Sequence, residues 1–151
     1  MMEERYLLLY EEITKHLQRL QRAFMHLNNA IGLPLTAEKV EKILSDDTLS
    51  SFLDQIAYRF SKIQDSLGKL IRAYLFLKGE NVENLTMIDV LNYAEKYNLN
   101  INKEKWFELR ELRNAITHEY ERELTRIAET INKIYEEVEY LKSIVEKLKI
   151  G

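Results

Sequence analysis

The chain has 151 residues, 46% of them hydrophobic and 31% charged, with four Gly, one Pro and no Cys. That is material for one domain spanning 1–151, and it excludes disulfides and thiolate metal sites. A formal net charge of −3 excludes a global positive field able to hold a long polyanion, so any nucleic-acid contact has to be local.

The first predicted element is a long helix: from Tyr6, apolar residues fall at Leu9, Ile13, Leu17, Leu20, Phe24, Leu27 and Ile31 in steps of three and four, until Gly32-Leu33-Pro34 ends it. A short helix over 36–44 has only a partial capping pattern, with Thr36 ahead of Lys39 and Glu38 in the first turn. Ser45, Asp46, Asp47 and Thr48 offer caps for a second long helix with the stripe Leu49, Phe52, Ile56, Phe60, Ile63, Leu67, Leu70, Tyr74 and Leu77. A shorter helix over 86–97 opens on Thr86, with Asp89 in its first turn. After an Asn-rich loop over 98–102, another begins near Lys103 and turns Trp106, Leu109, Leu112 and Ile116 inward. From Leu124 the pattern is a heptad seam of Leu124, Ile127, Ile131, Ile134, Val138, Leu141, Val145 and Leu148. The stretch at 118–120 is compatible with a break or with the middle of one longer helix.

No strand alternation and no internal repeat interrupts this series. The expected fold is all-α, an antiparallel up-and-down helical bundle of about five helices. The heptad seam has two readings, closing the chain's own bundle or binding a second copy, and the first is preferred. No apolar run nears the ~18 residues that span a bilayer, and the charged, amphipathic start is unlike a secretory signal, so a cytoplasmic protein without membrane contact is expected. His16, His26 and His118 are too scattered to suggest a zinc cluster; neither a metal nor a cofactor is expected.

One segment, Arg113-Asn114-Ala115-Ile116-Thr117-His118-Glu119-Tyr120, crowds Arg, amide, hydroxyl, His and Tyr into eight positions. On a straight helix, positions 113 and 118 lie about 140° apart, whereas 113 and 120 share a face, as do 114 and 118. Arg113 and His118 can therefore meet through the long Arg side chain, a helix distortion or a second copy of the segment in a symmetric dimer. A cleft holding both suits RNA cleavage. His118, with an ordinary pKa near ~6.5, can take the 2′-hydroxyl proton or give one to the leaving oxygen. Arg113 can stabilise charge on the phosphorane, and Asn114, one turn before His118, can orient its ring. Arg110, Arg122 and Arg126 would supply weak phosphate contacts, partly cancelled by Glu111, Glu119, Glu121 and Glu123. Thr117 receives no firm role.

The segment resembles the HEPN signature, an Arg and a His four to six residues apart, with Asn after the Arg and Tyr two beyond the His. This version is similar to the HepT toxin subfamily and to relatives described as substrate-binding partners of minimal nucleotidyltransferases. Motif and helical order together cover about 6–140, although the stretch 32–47 is longer than the compact hairpin expected of the family. The resemblance implies a homodimer with a composite site, metal-independent endoribonuclease activity on RNA, and Tyr120 as acceptor of AMP from a nucleotidyltransferase antitoxin that silences the toxin. The alternatives are a non-catalytic substrate-binding subunit of a nucleotidyltransferase complex and a structural bundle assembled through the heptad seam. Without the family pattern, an Arg, Asn and His near a helix end are commonly structural, the Arg held by a carboxylate. His16 and His26 read as partly buried or surface residues, Trp106 and the tyrosines as core and rim, and Arg59, Lys62, Gln64 and Asp65 as a solvated face that can also line the cleft.

Overall fold

The computed structural model describes residues 2–118 and 123–150, apart from the side chains of Met2 and His118. Within them the fold is all-helical and has six helices: α1 (Met2–Ile31), α2 (Ala37–Leu44), α3 (Asp47–Leu77), α4 (Met87–Lys96), α5 (Lys103–His118) and α6 (Leu124–Lys147). The short α2 takes the number above five. It is secured where the sequence offered least, since Thr36 accepts from the Lys39 amide, and Val40 and Ile43 are buried. Thr86 and Asp46 cap α4 and α3 in the same way. The cap of α5 is Asn102, whose Oδ1 accepts from the Lys105 amide at 2.8 Å, so the last residue of the Asn-rich loop belongs to the helix start.

Side-chain pairs fix the helix directions. Tyr6 meets Tyr74, His16 meets Arg59, and His26 stacks on Phe52, so α1 and α3 are antiparallel. The Tyr6 hydroxyl donates to the Leu148 carbonyl, and Phe24 packs on Tyr135, which sets α6 antiparallel to α1 as well. Lys105 bonds Glu137, and the Tyr140 hydroxyl donates to the Asn100 carbonyl at 2.7 Å, closing an α5/α6 hairpin. Glu123, extended at φ −135° and ψ 114°, separates α6 from α5, so 103–147 is not one continuous helix.

The apolar stripes form one core. Ile127, Ile131, Ile134, Val138, Leu141, Val145 and Leu148 of the heptad seam are all buried within the chain. The seam therefore closes this bundle and is not an outward assembly surface. The 32–47 stretch is tied down by Asn132, whose amide side chain accepts from the Leu35 N–H at 2.7 Å and donates to its carbonyl at 3.0 Å. At the α3/α5 crossing, the indole of Trp106 lies on Gly68; an added Cβ there would come within 3.2 Å of the ring. Trp106 and Arg113 are seven residues apart, two turns on one face of α5, so this close approach also aims Arg113 at α3. No helix of the described chain is long and apolar enough to cross a membrane.

Candidate functional site

Arg113 is held by Asp65 of α3. Its Nη1 lies 2.9 Å from Oδ1, and Nη2 donates to Oδ2 at 3.3 Å, a two-pronged match of guanidinium to carboxylate. The side chains are 37% and 42% exposed, so the pair sits on the outer surface of the bundle, and the guanidinium has further N–H donors beyond the two that meet the carboxylate. A half-exposed pair of this kind contributes only ~0–1 kcal/mol to stability. Its effect is orientation.

The remaining residues of the segment divide between two faces. Asn114, about 100° round the helix from Arg113, faces a groove of about 740 Å³ between α5 and α6 that also takes in Arg126 and Lys133. Five glutamates, Glu108, Glu111, Glu129, Glu136 and Glu137, line the same groove. Arg126 thus stands among carboxylates instead of beside Arg113, and the groove as a whole disfavours phosphates. Arg110 is exposed on α5, one turn before Arg113. The Thr117 hydroxyl bonds back to the Arg113 and Asn114 carbonyls at 3.0 and 3.1 Å, which satisfies the helix end and leaves Thr117 a structural part. His118 is the last residue of α5. Its side chain, together with Tyr120 and Arg122, lies outside the described residues, so the expected meeting of Arg113 and His118 falls there too. Among the described residues, no group of three or more His, Asp or Glu is arranged to hold a metal ion.

A second polar cluster lies between α1 and α3. His16 is 7% exposed, and its Nδ1 is 2.8 Å from Nη1 of Arg59. Because a guanidinium can only donate, Nδ1 accepts and the ring proton sits on Nε2, 3.6 Å from Glu12. Burial lowers the His16 pKa most, Arg59 and Lys62 lower it further, and Glu12 pulls the other way. The unfolded chain therefore takes up the proton at higher pH than the folded one. Stability from this site is complete above the ordinary value near ~6.5 and is lost as pH falls below it. Urea midpoints measured from pH 7.5 down to pH 5.5 should fall for the wild type and flatten for His16→Leu; parallel curves would remove His16 as the cause. The cluster was partly legible, since His16 and Arg59 each stand three or four residues from stripe residues on both sides, Ile13 and Leu20 for one and Ile56 and Ile63 for the other.

Compared with known proteins, the chain matches no family model, no curated protein and no solved structure.

Proposed function

We propose that the chain is a metal-independent endoribonuclease of the HepT-like kind, acting as a homodimer in which two copies of the Arg113–His118 segment share one RNA-binding cleft. The observation that supports this reading is the Arg113–Asp65 pair. It presents a preoriented guanidinium on the surface, five residues before a histidine at the helix end. In this scheme His118 takes the ribose 2′-hydroxyl proton as the O2′–phosphorus bond forms. The phosphorus–O5′ bond breaks, the departing oxygen receives a proton, and Arg113 stabilises the charge on the phosphorane. The products are a 2′,3′-cyclic phosphate and a 5′-hydroxyl. Deoxyribose lacks the nucleophile, so RNA is the substrate.

Purified protein incubated with a structured RNA in EDTA should cut it, while the all-deoxy counterpart stays intact. An uncut RNA, or equal cutting of both, refutes the nuclease reading. The reading also includes silencing by a partner nucleotidyltransferase through AMP transfer to Tyr120, because a bulky anion there would obstruct RNA. With the partner and ATP, the wild type should gain the mass of AMP and Tyr120→Phe should not; an adduct on the variant moves the acceptor elsewhere.

A second reading, a substrate-binding subunit without hydrolysis, is favoured by the same ion pair, since a carboxylate already occupies two donors of the guanidinium. It predicts RNA or nucleotidyltransferase binding with no cleavage.

A further inference from the structure

The outer ridge of α3 carries Tyr58, Lys62, Asp65, Lys69, Arg72 and Phe76 at alternating steps of four and three. At 100° per residue these positions stay within an arc of about 80°, and at 1.5 Å per residue they run for about 27 Å. The opposite side of α3 is buried in the core, so the ridge faces outward. Its two ends are aromatic and half open, with Tyr58 50% and Phe76 48% exposed.

Its charge is predominantly positive. Asp65 is neutralised by Arg113. Among the described residues, no carboxylate forms an ion pair with Lys62, Lys69 or Arg72. The Lys62 ammonium and the Arg59 guanidinium lie 5.6 and 5.2 Å from the centre of the Tyr58 ring. Arg72 is steadied by a 3.0 Å bond from Nη1 to the Val82 carbonyl and shares a groove of about 460 Å³ with Arg5, Lys69 and Phe76. The carboxylates beside this line are Asp54, one turn before Tyr58 on the same face of α3, Glu12, near His16, and Glu83, on the groove rim. Six cations, Arg5, Arg59, Lys62, Lys69, Arg72 and Arg113, thus face four carboxylates here, in a chain whose net charge is −3 and whose α5/α6 groove is acidic.

We infer that this ridge is a binding track for single-stranded nucleic acid, phosphates on Lys62, Lys69 and Arg72 and unpaired bases stacked on Tyr58 and Phe76. Resting on the nuclease reading above, it delivers the RNA strand to Arg113, which meets the ridge at its midpoint. Rings at both ends of a convex line can stack only bases that are free of a partner strand. An anionic membrane is the poorer match, because a surface-bound helix needs a continuous apolar face turned to the lipid, and that face of α3 is inside the protein. The ridge reads phosphates and base faces, neither of which distinguishes ribose from deoxyribose. The sugar matters only at the reacting phosphate.

That property separates the test from catalysis. Binding of a fluorescein-labelled, single-stranded deoxyoligonucleotide of about twelve residues, long enough to cover the ridge, is followed by anisotropy at rising salt. The wild type should bind with a slope of log affinity against log salt of about −2, as three neutralised phosphates require. Lys62→Ala/Lys69→Ala should weaken binding about tenfold or more and bring the slope to about −0.7. Tyr58→Ala and Phe76→Ala should each weaken it about tenfold with the slope unchanged, while Lys133→Ala in the acidic groove should bind as the wild type does. Undetectable wild-type binding, a lysine pair that binds with wild-type affinity and slope, equal binding of a blunt duplex, or preferential capture by phosphatidylserine vesicles would each overturn the track. RNA cleavage that ignores the ridge variants sinks the track alone; ridge-dependent binding without cleavage sinks the nuclease reading alone.

Discussion

Arg113→Ala should lower the rate of RNA cleavage by about 10²–10³-fold, the usual loss when a preorganised donor to developing charge is removed. The folded protein should survive the change, because the side chain is 37% exposed and its ion pair adds little to stability. Circular dichroism and urea midpoints near those of the wild type would assign the loss to chemistry. Asp65→Asn makes the second member of the series. If the carboxylate serves to hold the guanidinium fork, its amide variant should lose about tenfold in kcat with KM unchanged, a loss of transition-state stabilisation alone. A variant that cuts faster than the wild type would instead mark Asp65 as a competitor of the phosphate for the guanidinium.

Trp106→Ala should destabilise the fold by about 3–5 kcal/mol. Trp106 is 9% exposed and its indole rests on α3 at Gly68, which has no side chain to fill the space left behind. The lost burial and the residual cavity act together, and neither is relieved cheaply at the crossing of two helices fixed elsewhere by Lys105–Glu137 and by the α1/α3 core. The same change loosens the platform that aims Arg113, so cleavage at a temperature where the variant is still folded should fall as well. Urea unfolding followed at 222 nm reads the first effect as a lower midpoint at constant m-value. A midpoint within experimental error of the wild type would show that α5 is held on α3 by other contacts.

The helices were legible because their apolar residues recur at the helical period and because Thr36, Asp46 and Thr86 are capping residues placed just before such runs. The seam from Ile127 to Leu148 was legible as a helix face but not as to its partner, since an identical stripe serves a bundle or a dimer; only its burial against the chain's own α1, α2 and α5 decides. Asn102 was not legible as a cap because it follows Asn98 and Asn100 in alternation with Leu99 and Ile101, each Asn as capable of a turn as of a cap. The Arg113–Asp65 pair joins residues 48 apart, and nothing local to either position signals the other. Asp65 lies among several polar residues of α3, and what singles it out is the α3/α5 crossing that Trp106 and Gly68 set. The division of Arg113 and Asn114 between two faces follows from helix geometry alone. Which face carries the favourable charge does not, because the five glutamates of the α5/α6 groove come from both helices.

The decisive comparison is the wild type against His118→Ala, each incubated with the same structured RNA in EDTA and the products examined for 2′,3′-cyclic phosphate ends. The wild type should release such ends and the variant should fall by about 10²-fold or more, as the loss of a positioned acid–base group demands. Equal cleavage by the two proteins, or none by either, would contradict an arginine–histidine site at the end of α5.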